Sequence, residues 1–297
     1  MTSAPCIGCP RDCAAAREAG RGFCGANALA RVARADLHLW EEPPISGTRG
    51  SGAVFFSGCN MRCIFCQNRD ISQQQRGQAL NAGALASVFL KLAQKGAHNI
   101  NLVTPNIHLA AVIPALRQAR AKGLSIPVVY NTNGFDSIAG IRALDGLVDI
   151  YLPDIKFVSP ELSGKISRTA AYLQYAAPAL LEMQRQTGTL QLDDAGIARR
   201  GLLVRHLVLP GCLHDTRRVI DFIRAHLPQD TCFSLMGQYT PNSEALPPPY
   251  NRRLTAREYR RATAYCLDSG LKNVYVQSLS SAEPAYIPAF SDELTNL

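Results

Sequence analysis

The chain has 297 residues, 47% hydrophobic and 18% charged, with a formal net charge of +8. That length suits one large α/β domain or two ordinary ones, with a sizeable core. No apolar run approaches the 18 or so residues of a membrane-spanning helix, and "MTSAPCIGCP" lacks a basic region followed by an apolar one, so a cytoplasmic protein with reduced thiols is expected.

Residues 1–36 are rich in Cys, Gly, Ala and Arg and show little strand pattern. A piece this short cannot build its own core, so a small metal-stapled segment is expected. Residues 37–52 read as a linker, because "LWEEPPISGTRGSG" is dense in Pro and Gly. From residue 53 to 297, strand and helix patterns alternate. "AVFFSG" (53–58) is a strand candidate, followed by a helix over 81–96, with Leu85, Val88, Phe89 and Leu92 at helical spacing. "NINLVTP" (99–105), "IPVVYNTNG" (126–134) and "VDIYLPDIKF" (148–157) are further strands. Helices are expected over 108–123, 137–147 and 170–188. "LLVRHLVLPG" (202–211) and "TCFSLMGQY" (231–239) are strands around a helix at 216–227, and a helix over 255–270 precedes an extra strand, "NVYVQ". Such alternation means βαβ units on a parallel sheet. Six units predict an α/β partial (β/α)6 TIM-like barrel, short of the eight of a closed barrel. In such folds the working face lies at the C-terminal strand ends. The basic run "NRRLTAREYRR" reads as one helix with a solvated face, and neither a nucleic-acid nor a membrane partner is expected.

Ten cysteines are many for a reducing compartment, where metal or catalytic roles outweigh disulfides. Three fall in "FFSGCNMRCIFCQN": Cys59, Cys63 and Cys66, spaced C-x3-C-x2-C just after the first barrel strand. Thiolates select zinc, copper or iron–sulfur clusters. Structural zinc wants four ligands, whereas a cubane cluster on three cysteines keeps one iron open to a small molecule. Four more, Cys6, Cys9, Cys13 and Cys24, occupy nineteen residues. They suit structural zinc or an iron–sulfur cluster, and a metal-free reading stands beside both.

The three-cysteine motif, with Phe65 before its last Cys, resembles the signature of radical S-adenosylmethionine (SAM) enzymes. "CNMRCIFCQN", "NTNGF", "LPDIK" and "LVLPG" resemble the activating-enzyme branch, which includes the enzyme that activates pyruvate formate-lyase. "CPRDC…GFCG" and "LHLWEEPPISG…GSGAVFFSGCN" are similar to its PflX-type group. The resemblance implies that Cys59, Cys63 and Cys66 hold a [4Fe-4S] cluster and that SAM chelates its open iron. Reductive cleavage of SAM then yields a 5′-deoxyadenosyl radical that abstracts hydrogen, an oxidoreductase chemistry. It implies a flavodoxin- or ferredoxin-type reductant and, in the activating branch, a glycyl radical enzyme or other protein as substrate. The alternatives are an iron–sulfur electron-transfer or sensor protein, or an enzyme acting on a small molecule or peptide.

The resemblance places Phe65 near the adenine. It places Lys156 on the SAM carboxylate with Asp154 orienting it, a strand-end ion pair being the plain alternative. Thr104 stands where the superfamily carries a Gly-Gly-Glu-like element, so the SAM amine is left to backbone carbonyls or Thr104. Asn131 stands where activating enzymes often carry Asp, and Asn133 follows it in "NTNG". The N-terminal cysteines become zinc ligands or an auxiliary iron–sulfur site. Of the remainder, His206 is a candidate to line the pocket. Glu41 and Glu42 read as a hinge or docking pair. Cys212 is structural or substrate-facing, and Cys232 and Cys266 are core residues.

Overall fold

The computed structural model describes residues 6–11, 13, 17, 22–281, 288, 290 and 294. Among them the strands are β1 (Ala30–His38), β2 (Ser51–Phe56), β3 (Gln78–Leu80), β4 (Ile100–Val103), β5 (Val128–Thr132), β6 (Ile150–Pro153), β7 (Gln191–Leu192), β8 (Ala198–Leu207), β9 (Cys232–Met236) and β10 (Asn273–Val276). The helices are α1 (Pro43–Ser46), α2 (Arg69–Gln74), α3 (Ala82–Gln94), α4 (Leu109–Ala121), α5 (Ile138–Ala143), α6 (Pro160–Ser167), α7 (Tyr172–Thr187), α8 (Leu213–His226) and α9 (Ala256–Leu267).

The strands form one sheet in the order β10-β9-β8-β6-β5-β4-β2-β1-β3, with β7 paired to β8. From β2 through β4, β5, β6, β8 and β9 to β10 every neighbouring pair is parallel. This is the expected α/β partial barrel, and "NVYVQ" extends it as β10. The helices of the βαβ units pack outside. In α3 the buried residues include Leu85, Val88, Phe89 and Leu92, each burial being worth about 1.5–3 kcal/mol. Asn81 caps that helix by accepting from Ala84 N, and α9 opens on a capping box formed by Thr255 and Glu258.

Strand alternation sorts the side chains. Val54, Phe56, Leu102, Tyr130, Tyr151, Val204 and Phe233 join the core shared with the helices. Val129, Ile150, Leu152, Leu203 and Cys232 form a second, separate cluster, into which α1 inserts Ile45. Cys232 and Cys266 are core residues, as expected.

The N-terminal third departs from the sequence reading. A strand, β1, lies where little strand pattern was seen, and it runs across the expected boundary at residue 36. It pairs antiparallel with β2 and β3, closing the edge of the barrel sheet. The linker is not a plain loop either, since Pro43–Ser46 turns as a short helix. Part of the Cys-rich segment, residues 1–5, 12, 14–16 and 18–21, lies outside the described residues.

Candidate active site

β2 ends at Phe56, and the chain turns immediately into the cysteine loop. Gly58 has φ +88°, and a Cβ there would meet the Cys24 carbonyl oxygen at 2.7 Å. Only glycine fits so tight an exit. Arg62 also takes a left-handed conformation, with φ +59°. Partners from elsewhere hold the loop. Ile64 N donates to Ile166 O (2.9 Å). Asn242 Nδ2 donates to the Ile64 and Cys66 carbonyls (3.0 and 2.9 Å). Cys59 Sγ accepts from Met61 N and Asn133 Nδ2, both at 3.4 Å, and Cys66 Sγ accepts from Ser72 Oγ at 3.4 Å.

Beside this loop, at the C-terminal strand ends, lies a cavity of about 240 Å³. Its walls include Cys59, Cys63, Cys66, Phe65, Thr104, Asn131, Asn133, Asp154 and Lys156. The barrel residues that the resemblance assigned to the cluster and to SAM therefore meet around one space. Phe65 is buried and packs near Phe157 and Tyr239, ring centroids 6.3 Å away in each case. Thr104 has φ +57°, a strained conformation for a β-branched residue of the kind that collects at functional sites. Gly134 lets the end of β5 approach β6: a Cβ there would meet the Asp154 carbonyl oxygen at 2.2 Å. Tyr172 Oη bridges this junction, within hydrogen-bond reach of the Asn133 and Asp154 carbonyls (2.9 and 2.7 Å).

The polar floor is a charge network. Lys156 Nζ pairs with Asp154 Oδ2 at 2.6 Å. Arg205 Nε donates to Asp154 Oδ1 (3.0 Å), Nη1 to Glu41 Oε2 (2.9 Å) and Nη2 to Asn131 Oδ1 (2.6 Å). Glu41 Oε1 also accepts from Asn101 and Asn131 Nδ2, both at 3.2 Å. Burial pushes Asp154 up, but Lys156 and Arg205 outweigh it and hold the carboxyl below its ordinary range. Burial likewise opposes the charge on Lys156, yet Asp154 keeps it raised. Glu42, buried beside Glu41, is raised by desolvation, with Arg205 opposing. Burial raises the Cys63 and Cys66 thiols, and Lys156 partly opposes this at Cys63.

Two sequence readings change here. Glu41 is no hinge residue: it lines the cavity and pairs with Arg205 across 164 residues. His206 does not face the cavity. Arg205 points into the barrel, so its neighbour points out, where His206 Nδ1 meets Ile155 O (2.7 Å) and Nε2 meets Thr216 Oγ1 (3.0 Å). Cys212 caps α8 away from the cavity walls, 3.8 Å from Tyr250 Oη. Arg205 itself was missed. The available signal was a lone arginine inside the apolar run "LLVRHLVLPG".

The four N-terminal cysteines lie on the far side of the loop. Cys9 Sγ accepts from Asn60 Nδ2 at 3.6 Å, and Arg17 Nη2 donates to Cys6 Sγ (2.8 Å) and reaches Cys24 Sγ (3.8 Å). Cys13 is exposed. Among the described residues no three of His, Cys, Asp and Glu stand close enough to share a single metal ion.

The sequence profile of the radical SAM superfamily matches residues 53–186. The chain is also 31% identical over 281 residues to an uncharacterized protein, MJ0674, of Methanocaldococcus jannaschii, covering 91% of this chain and 76% of that one. This chain belongs to the radical SAM superfamily. Its fold is similar to that of SuiB from Streptococcus suis, whose structure was solved bound to S-adenosylmethionine: TM-score 0.50, 12% identity, 76% of this chain covered. The match takes in 47% of SuiB, so this chain spans about half that protein's length. A match to methylornithine synthase (PylB) has a TM-score of 0.47 at 12% identity, over 80% of this chain and 73% of that one. The family implies a [4Fe-4S] cluster and SAM. The residues present suit such a group: three thiols share one cavity wall with a buried lysine and its carboxylate. No helix among the described residues is long and apolar enough to cross a membrane.

Proposed function

We propose that this radical SAM enzyme binds SAM in the cavity beside Cys59, Cys63 and Cys66 and uses it for hydrogen abstraction, in the manner of the glycyl-radical-enzyme activating enzymes. The observation that carries the reading is the convergence of those three thiols with Lys156 and Asp154 on one cavity at the strand ends. A [4Fe-4S] cluster held by the three thiolates would supply the electron that cleaves SAM to methionine and a 5′-deoxyadenosyl radical. The protein's own task is to bind, orient and shield. Lys156 keeps two N–H donors beyond its pair with Asp154 and is the group to take the SAM carboxylate. Asp154, clasped by Lys156 and Arg205, fixes that lysine in place. Thr104, at the end of β4, offers its hydroxyl and backbone carbonyl to the SAM amine. Phe65 borders the adenine side.

The activating-enzyme reading, with a backbone glycine of a partner protein as substrate, rests on "NTNGF" and "LPDIK". A purely electron-carrying role leaves the cavity beside the thiols without a use. The test is anaerobic: fill the protein with iron and sulfide, reduce it with dithionite, add SAM and look for 5′-deoxyadenosine by chromatography. Product is expected from the wild type and absent from Cys63→Ala. A wild type with a filled cluster and no product, with or without added glycyl radical enzyme, would sink the reading. A glycyl radical signal by electron paramagnetic resonance on the added partner would separate the activating role from action on a small molecule.

A further inference from the structure

The cysteine loop is flanked on both sides. Asn60, the residue after Cys59, is fully buried. Its Nδ2 reaches Cys9 Sγ at 3.6 Å and donates to Phe135 O at 2.7 Å. Its Oδ1 accepts from Asn133 Nδ2 at 2.9 Å, and that same nitrogen donates to Cys59 Sγ at 3.4 Å. Two amide side chains thus join the thiol of Cys9 to the thiol of Cys59. On the other side of Cys59, Gly58 packs directly on the carbonyl of Cys24, and Gln75 Nε2 donates to that carbonyl at 3.3 Å. The two thiol sets therefore bracket the same short stretch of backbone.

In the N-terminal set, three of the four sulfurs accept hydrogen bonds. Cys9 Sγ accepts from Arg11 N (3.4 Å), and Arg17 serves Cys6 and Cys24 together while its Nη1 donates to Ile107 O (3.0 Å). The Cys6 and Cys24 sulfurs thus lie within the sum of their distances to one nitrogen. Hydrogen bonds to sulfur and solvent exposure are what set the potential of an iron–sulfur cluster. A zinc staple needs the four thiolates but gains nothing from a hydrogen-bonded path to the catalytic thiols.

We propose that Cys6, Cys9, Cys13 and Cys24 hold a second, redox-active iron–sulfur cluster, coupled through Asn60 and Asn133 to the group held by Cys59, Cys63 and Cys66. This rests on the radical SAM reading above. A one-electron carrier of flavodoxin or ferredoxin type gives up an electron at the N-terminal set, where exposed Cys13 faces solvent. The electron crosses to the loop set and breaks the S–C5′ bond of SAM, and the carrier ends oxidised by one electron.

The experiment uses the full-length chain. A variant carrying Cys59→Ala, Cys63→Ala and Cys66→Ala together is filled anaerobically with iron and sulfide beside the wild type. It is expected to keep about half the wild-type iron and sulfide and to show a paramagnetic signal on reduction. Iron and sulfide at background, or zinc that iron does not replace, would overturn the proposal. This readout needs no SAM, so it stands or fails apart from the 5′-deoxyadenosine assay. In the triple variant, Asn60→Leu is expected to lower the midpoint potential of the remaining cluster, because it removes the Asn60 Nδ2 donor from Cys9 Sγ, and an unchanged potential overturns the role given to Asn60. In a variant with Cys6, Cys9, Cys13 and Cys24 all changed to Ser, the ratio of flavodoxin-driven to dithionite-driven product formation should fall at least tenfold. A ratio equal to the wild type's overturns the relay.

Discussion

Seven cysteines divide into two sets on either side of Gly58 and Asn60, and the two sets are held in different ways. The loop set hangs between a strand end, α6 and the loop after β9, with its thiols on the wall of a cavity. The N-terminal set is pinned from outside. Arg11 donates to Asn60 O, Arg168 O (2.8 Å) and Thr169 Oγ1 (2.9 Å), and its guanidinium lies 3.7 Å over the Phe23 ring. One set faces a cavity floored by paired charges; the other faces solvent at Cys13. Thiol spacing alone does not tell the two sets apart. What separates them is the cavity at the strand ends, whose walls include Cys59, Cys63 and Cys66 and none of the N-terminal four.

The largest expected effect breaks that asymmetry at its source. Cys63→Ala should take 5′-deoxyadenosine formation to background, while Cys13→Ala keeps measurable product. Equal loss in both would mean that the two sets are one functional unit. Next is the charge floor, which belongs to the cavity side only. Arg205→Met leaves Asp154 paired with Lys156 but strips Glu41 of its cation, and an uncompensated buried charge costs about 3–5 kcal/mol. Urea unfolding should show a loss of that size. A loss under about 1 kcal/mol would mean that the network behaves like a surface pair.

A pH effect tests the seam between the sets. His108 is buried, with Nε2 2.8 Å from Ser57 O, and burial pushes its pKa down to about 4. Unfolded, it titrates near 6.5. Between pH 6.5 and 4 the unfolded chain binds a proton that the folded chain refuses, so this contribution to stability is lost as pH falls through that window, about 3 kcal/mol in all. Asp136, buried and raised to about 6, runs the other way: there the folded chain binds the proton first. The wild-type curve sums the two. The difference between wild type and His108→Gln isolates the histidine, and it should narrow steadily from pH 7 to pH 4. A constant difference would show that His108 binds its proton as readily in the fold as in the unfolded chain.

The barrel was legible because its strands are apolar runs ending in polar residues, and the loop set because three cysteines in eight residues have few other uses. Thr104, Asn131, Asn133, Asp154 and Lys156 came from the family resemblance, and their position at strand ends agreed with it. Glu41 did not. It sits in a stretch whose prolines and glycines read as linker, and its partners Asn101, Asn131 and Arg205 are 60, 90 and 164 residues away. Arg205 and His206 are adjacent, and only the strand's phase, set by pairing with β9, decides which one faces inward. β1 was hidden for a related reason: "ARVARADLH" alternates small apolar with charged residues, a weak pattern that becomes a strand only when β2 and β3 pair with it.

The smallest expected effect concerns how firmly the N-terminal set is seated. Arg11 is partly exposed, so its contacts are worth less than those of Arg205. Arg11→Ala removes three hydrogen bonds and the stacking over Phe23, but it leaves Gly8 O accepting from Ser137 N (3.3 Å) and Ser137 Oγ donating to Ile7 O. A net loss of about 1–2 kcal/mol is expected, confined to the docking of this segment. Amide hydrogen exchange should therefore rise over residues 22–27 and stay unchanged in β4 and β5. Arg11→Lys keeps the charge but not the planar fork that reaches three acceptors at once, so it should recover less than half of the loss. If exchange instead rises across the cysteine loop as well, Asn60 is being held by Arg11 rather than by Asn133 and Phe135, and the two sets share a single support.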